Sequence, residues 1–437
     1  FDRMIRTAKE IGVSTETVRE SLYGFDTNPT VWSLAALNMF FRGDGKSHIE
    51  NASCFDPKSR DSTKGKFTKA LLNPPFSQEE EPERDFISAA MDSLQTLGVM
   101  AVVVKSGIFA DDDNARWRYE FLKQHTLLGM ISLPGDLFYP TAVDTTIMIA
   151  KAHRPQNKKD SIFMSKIWND GFKKLKGKRV EAEGSQLPEV LEQFKRFMKG
   201  EEPNSQLVTT IKAEQLMEIG AEFSPEQYLS QPDFLNNEQA YYIENVTRSI
   251  LISSICVEEL ADEVIDSFPM AEYALPNIPY GKSGAVETFF TVAGGKSRGE
   301  SNYLAGSCPY VSSGDPQNSI IRLVRDVEGE VFRQGAITVT CFGQAYVQPW
   351  RFMARGNGGS AVRVLLPKYR MTYAEIAWFA AQINMQKWRF FYGRMAIQRR
   401  LKELEIQAPH QKLEDSESSI AEKIRALSDR FADIMKG

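Results

Sequence analysis

The chain has 437 residues, enough for roughly three domains at about 150 residues each, so a single small binding module is excluded. Hydrophobic residues make up 42% and charged residues 25%, the usage of a globular rather than a disordered or fibrous chain. The net charge of −4 gives no global basic excess for a polyanion, so any nucleic-acid face must be local. The four cysteines (Cys54, Cys256, Cys308, Cys341) and four histidines lack paired spacing, which points to neither a disulfide framework nor a metal site. No window reaches the roughly 18 apolar residues of a membrane span and no signal peptide opens the chain; a soluble, cytoplasmic protein is expected.

Phe1 opens directly in helix-like sequence, which suggests a preceding segment. From there to about residue 153, short apolar runs alternate with amphipathic stretches, the pattern of a doubly wound α/β sheet covered by helices. Leu22 to Phe25 reads as a strand ending at Asp26, and Val31, Leu34, Ala35, Leu37, Asn38 and Phe41 follow at helical spacing before Gly43. Ala70 to Leu72 is a strand ending at Asn73, Phe86 to Leu94 a helix, and Val99 to Val104 a buried run. Gly129 to Leu133 and Thr145 to Ala150 are strands separated by the turn-rich Pro134 to Pro140.

Between Arg154 and Arg179 nine basic residues face two acidic ones, Asp160 and Asp170. Residues 181–250 are expected to form a polar helical connector after a core spanning 1–180. From 251 to 410 a β-rich domain with long loops follows, with alternation such as Ala336 to Thr340. Tyr373 to Leu404 carries helical periodicity through Ile376, Phe379, Ile383, Phe390, Ile397, Leu401 and Leu404, which predicts a long C-terminal helix. Its aromatics Trp378, Trp388, Phe390, Phe391 and Tyr392 read as core, and its basic residues (Lys387, Arg389, Arg394, Arg399, Arg400, Lys402) only secondarily as phosphate contacts. Residues 411–437 hold one more amphipathic helix.

The residues richest in chemistry are Asn73-Pro74-Pro75-Phe76. Two consecutive prolines cannot continue a strand, so the chain must leave the sheet extended at its carboxyl edge, where open α/β sheets bind ligands. There the Asn73 amide oxygen and the Pro74 carbonyl are two acceptors for one exocyclic amine, and Phe76 is a face for a planar ring. Such a loop suits methyl transfer to an amino nitrogen; a Pro-Pro turn with Asn as turn former is the bland alternative.

At this point the sequence resembles the amino-methyltransferase superfamily that uses S-adenosyl-L-methionine, whose Asn/Asp-Pro-Pro-aromatic motif marks methylation of adenine N6, cytosine N4 or a glutamine amide. The resemblance implies catalysis by Asn73, Pro74, Pro75 and Phe76. It implies cofactor binding by Asp26 and Asn28 at the ribose, and by Asn51 or Ser53 where an adenine-contacting acid is usual and none stands here. The Gly-rich loop of the family, expected before Asp26, is not in this sequence.

Val104-Lys105-Ser106-Gly107, Ile131-Ser132-Leu133-Pro134, Leu137-Phe138, Thr145 to Met148 and Asn169 to Phe172 are similar, in this order, to modification subunits of type I restriction-modification systems, which methylate adenine N6 in DNA. The second half resembles the target-recognition domain of a specificity subunit: Cys308 to Asp315, Asn318, Gly335 to Thr340, Gly343, Val362 to Pro367 and the helix after Met371. This implies DNA contacts by Lys282, Lys296 and Arg298 in loop 281–306 and by Tyr310, Ser312, Ser313 and Asn318. An unrelated packing or oligomerisation domain is the alternative for this half.

The sequence thus predicts a site-specific adenine N6 methyltransferase acting on duplex DNA, with nuclease or specificity subunits as possible partners and oligomerisation possible. A protein glutamine-amide methyltransferase and an inactive DNA-binding or assembly subunit are the competing readings.

Overall fold

A computed structural model describes residues 1–44, 48–76, 80–175, 177–236, 238–258, 275–314 and 317–413. The chain divides into two compact units, Phe1–Tyr228 and Leu229–Gly437. The expected helix of residues 411–437 lies almost wholly outside the described residues.

Among the described residues the first unit has ten strands: β1 (Tyr23–Phe25), β2 (His48–Glu50), β3 (Phe67–Leu72), β4 (Leu94–Lys105), β5 (Thr126–Ser132), β6 (Thr145–Lys151), β7 (Ser161–Lys166), β8 (Phe172–Leu175), β9 (Lys178–Glu181) and β10 (Val208–Lys212). Six of them form one sheet in the order β10-β7-β5-β6-β4-β3. β3 runs parallel to β4 and β5 parallel to β7, whereas β6 lies antiparallel between β4 and β5, and β10 antiparallel on β7. Four strands therefore share a direction and place their carboxyl ends along one edge. β6 reverses because the segment 133–144 that joins it to β5 is a turn with no helix to carry the chain across the sheet.

The apolar run in β4 is long because both sheet faces are covered. Met100, Val102 and Val104 point into a core with Ile87, Met91, Phe121 and Leu122 from the helices Glu83–Ser93 and Ala115–Gln124. Val103 on the other face joins Phe163, Val190 and the helix Leu187–Met198. Gly129 in β5 permits this second layer: a Cβ there would sit 3.2 Å from both Phe163 Cβ and Phe194 Cε2.

Residues 181–228, expected as a connector, belong to the first unit, because β10 completes the sheet edge and Ala213 and Leu216 enter its core. β1 and β2 pair parallel with each other outside the six-stranded sheet. The helix Pro29–Phe41 forms as the spacing predicts, but none of its residues is buried, and Leu34, Phe40 and Phe41 are exposed.

His125 follows the helix Ala115–Gln124 and is buried, with its Nδ1 accepting the backbone N–H of His153 at 3.1 Å. Burial, helped by the charge of His153, lowers its pKa to about 4 against an opposing pull from Asp92. The ring is neutral when folded and takes up a proton near pH 6.5 when unfolded, so its contribution is full above pH 6.5 and is lost as pH falls toward 4. That loss is on the order of 3 kcal/mol. Urea unfolding at pH 7 and pH 4.5 is expected to show it, and His125→Asn, which keeps an acceptor but cannot titrate, is expected to flatten the difference. An equally steep pH dependence in that variant excludes His125 as the cause.

The second unit carries a four-stranded antiparallel sheet, a four-stranded mixed sheet and a two-stranded ribbon. The ribbon pairs β11 (Ser283–Ala285) with the last strand, Glu405–Gln407, and β12 (Phe290–Gly294) opens the antiparallel sheet. β13 (Ala305–Val311), β14 (Ile320–Val324), β15 (Val331–Phe332) and β18 (Phe352–Ala354) form the mixed sheet; β16 (Ala336–Val339), β17 (Ala345–Gln348) and β19 (Arg363–Pro367) complete the antiparallel one. Phe379, Ala380 and Ile383 of the helix Tyr373–Met385 share a core with Phe289, Val292, Ile337 and Leu365.

The long C-terminal helix does not form. Tyr373–Met385 is followed by a single turn at Lys387–Arg389 and a short helix at Gln398–Lys402. Between them Phe391 and Arg394 exchange backbone hydrogen bonds around Gly393, whose φ is +92°, so the chain doubles back. This lets Phe390 pack flush on Gly343, where a Cβ would come within 2.3 Å of its ring. Phe390 and Phe391 are buried as expected, but Tyr392 is exposed, while Arg394 and Arg400, read as phosphate contacts, are buried.

Candidate active site

The site begins where β3 ends. Asn73 is exposed, and its amide makes no hydrogen bond among the described residues; Pro74 is buried and Pro75 exposed. The prolines bar both sheet pairing and a helical turn, so Asn73 is held at the lip of the sheet with its acceptor free. Phe76 meets Phe138 edge-on, with ring centroids 5.4 Å apart and planes at 85°. Phe138 comes from the turn between β5 and β6, so two aromatic rings from segments about sixty residues apart flank the Asn73 loop.

Beneath this edge lies a polar cluster. Ser106 Oγ and Thr146 Oγ1 share a hydrogen bond of 2.7 Å, and the Ser106 N–H donates to the Asp144 carbonyl. Lys166, at the carboxyl end of β7, donates to Glu226 Oε1 at 2.9 Å, and Ser224 Oγ donates to its other oxygen at 2.7 Å. Burial pushes the Glu226 carboxyl up, but the Lys166 ammonium and the Ser224 hydroxyl outweigh it and hold the carboxyl below its ordinary range. Burial raises the Asp144 carboxyl against the pull of Lys166. Sequence reasoning missed Asp144, Lys166 and Glu226, since 60 residues separate the last two and no spacing links them.

The residues expected at a cofactor gather at the ends of β1 and β2. Asp26 Oδ1 accepts the Asn28 N–H at 2.8 Å and leaves Oδ2 unbonded among the described residues. Asn51 donates to the Asp26 carbonyl at 2.8 Å, which joins the ends of the two strands. Asn28 is the N-cap of the helix Pro29–Phe41, its Oδ1 accepting from Thr30 and Val31, so its acceptor is spent on the helix. Ser53 is likewise engaged, its Oγ accepting the Phe55 N–H at 3.1 Å. An exposed backbone edge with a half-free carboxylate at Asp26 and the Asn51 amide beside it fits the hydroxyls and polar ring edge of a nucleoside, so the cofactor implied by the sequence suits these two residues.

In the second unit Lys282, Lys296 and Arg298 are exposed on loops. Tyr310, Ser312 and Asn318 are buried and do not form the expected DNA surface. Tyr310 Oη donates to the Arg298 carbonyl, Ser312 Oγ to the Ser360 carbonyl, and Asn318 Nδ2 to the Val347 carbonyl. The half-buried Ser313 Oγ lies 3.5 Å from the Ala361 carbonyl. These polar groups satisfy loop and strand carbonyls inside the unit, which strand alternation alone did not reveal. Among the described residues no helix is long and apolar enough to cross a membrane.

The sequence profile of the family described as N-6 DNA Methylase matches residues 3–236, more than half of the chain. Over 172 residues the chain is 30% identical to the type II restriction enzyme and methyltransferase RM.BcgI of Heyndrickxia coagulans, covering 37% of this chain and 27% of that protein. Among solved structures, the type I restriction-modification methyltransferase subunit of Streptococcus thermophilus matches at 20% identity over 48% of each chain, with a TM-score of 0.40. The type IIG restriction endonuclease BpuSI matches at 9% identity over 92% of this chain and 54% of that one, with a TM-score of 0.41. The chain thus spans about a quarter of the curated relative and about half of either solved structure.

Proposed function

The chain belongs to the N-6 DNA methylase family, and we propose that it transfers a methyl group from S-adenosyl-L-methionine to adenine N6 at a specific sequence of duplex DNA within a restriction-modification system. The observation that carries this reading is the Asn73 amide at the carboxyl end of β3, without a hydrogen bond among the described residues and flanked by Phe76 and Phe138.

The target adenine must leave the stack to reach such a lip, and the unstacking costs a few kcal/mol. Phe76 takes over the lost stacking. Asn73 Oδ1 and the Pro74 carbonyl accept the two N6 hydrogens, which draws the nitrogen lone pair out of conjugation with the ring and aims it along one line. When bound, S-adenosyl-L-methionine would supply an electrophilic methyl group, and Asp26 and Asn51 would hold its nucleoside end. Transfer would form an N6–C bond and break the S–C bond of the cofactor, with the N6 proton leaving toward the Asn73 oxygen and solvent. Catalysis rests on orientation at the Asn73 loop.

The second unit supplies sequence selection in this reading. Lys282, Lys296 and Arg298 are exposed and cationic, suited to phosphates and base edges, and nuclease or specificity subunits are the partners such a system uses.

Long-read sequencing of genomic DNA from a methylation-free host expressing the full-length gene tests the proposal. N6-methyladenine at one recurring motif is the expected result. Unmodified DNA in cells that hold folded, cofactor-binding protein overturns it in favour of a protein-amide substrate, and folded protein without cofactor binding favours an inactive scaffold.

A further inference from the structure

One charged feature is not used by the site described above: the antiparallel ribbon of β8 and β9, which carries the densest part of the basic run. Its register sorts the side chains by face. Phe172, Lys174, Arg179 and Glu181 share one face, Lys173, Leu175, Lys178 and Val180 the other. The first face is anchored. Arg179 donates to both oxygens of Asp170 at 2.9 and 2.7 Å and lies 3.5 Å from Asp136, while Lys174 Nζ stands 4.7 Å from the Tyr139 ring centre.

Asp136 and Tyr139 bracket Phe138, whose ring lies against Phe76. The ribbon is therefore fastened to the segment that walls the Asn73 loop. The second face is free: Lys173, Leu175 and Lys178 are exposed, and neither lysine has a carboxylate at ion-pair distance among the described residues. The two lysines sit diagonally across the ribbon, about 7–8 Å apart.

Such a ribbon is costly to form by itself. A lone two-stranded hairpin is marginal in water, and Lys174 directly opposite Arg179 adds like-charge repulsion. The buried Asp170 carboxylate, with Asp136 beside it, offsets the Arg179 charge.

We propose that the Lys173 and Lys178 face of this ribbon grips the phosphate backbone of duplex DNA beside the extruded base. The inference rests on the DNA-methylating reading and adds a sequence-independent contact within the first unit, apart from the recognition loops of the second. Phosphate contacts of this kind position the duplex and release counterions, so they appear in the salt dependence of binding.

The test measures binding of the full chain to a fluorescent duplex across a series of KCl concentrations, for the wild type, the double variant Lys173→Gln with Lys178→Gln, and the double variant Lys173→Arg with Lys178→Arg. The Gln pair is expected to reduce the slope of log affinity against log salt by about two, at roughly 0.9 per phosphate contact. The same reduction is expected on duplexes with and without the methylated motif, and the Arg pair is expected to keep the wild-type slope. A wild-type slope in the Gln pair overturns the arm while leaving the methyltransferase reading intact, and so does a loss confined to the motif-bearing duplex. A wild type that binds no duplex at all overturns both.

Discussion

Asn73→Ala is expected to lower single-turnover methylation of motif-bearing DNA by roughly 10²–10⁴-fold while DNA affinity stays within a few-fold of the wild type. The asymmetry follows from the loop. Asn73 is exposed and bonded to nothing among the described residues, so shortening it removes no contact that holds the fold. Pro74 and Pro75 keep the backbone extended, and Phe76 keeps its contact with Phe138, so stacking of the extruded base survives. What disappears is the acceptor that turns the N6 lone pair toward the methyl carbon. Asn73→Asp keeps an oxygen at that position and is expected to retain a measurable fraction of the rate. Rate and affinity falling together would assign Asn73 to DNA binding, and an unchanged rate would remove it from the chemistry.

Arg118→Met is expected to cost roughly 2–6 kcal/mol, about 1–3 kcal/mol for each of the two buried carbonyls it strands. Arg118 is among the largest fully buried side chains. Its Nε donates to the Ala221 carbonyl and its Nη1 to the Ile108 carbonyl, both at 2.8 Å, with Asp111 3.9 Å away. The guanidinium thereby ties the turn Ser106–Phe109 to residue 221, more than a hundred residues later in the chain. Met fills much of the volume but leaves two buried carbonyls without donors. For a unit of this size the lowest thermal transition is expected to fall by about 10 °C, and Arg118→Lys, with one compact donor group, to recover only part of it. A wild-type melting temperature in the Met variant would show that water or a shifted backbone satisfies those carbonyls.

The two variants probe features of opposite legibility. The Asn73 loop is a local event: an apolar run ends and two prolines forbid its continuation, so four consecutive residues state both where the chain leaves the sheet and which acceptor it presents. Strand positions in β3 to β6 were legible for a similar reason, because apolar runs bounded by turn residues encode burial directly. Arg118 carried no such mark. An arginine in an amphipathic helix reads as solvated, and only the return of residue 221 to the helix end makes it interior.

The errors follow the same division. Periodicity through Tyr373 to Leu404 predicted one helix, yet burial of Phe390 against Gly343 outweighs helical continuation once the antiparallel sheet is in place. Tyr310, Ser312 and Asn318 were read as a surface because they are polar; the fold uses them to satisfy backbone carbonyls of loops and of β17. The sequence by itself determined the α/β class of the first unit, the β-rich character of the second and the acceptor at the end of β3, all set by interactions within a few residues. Only the tertiary structure decided the antiparallel placement of β6, the meeting of Phe76 with Phe138, and the buried pairing of Lys166 with Glu226. Those depend on contacts between segments tens of residues apart, whose free energy exists only once the sheet has brought them together.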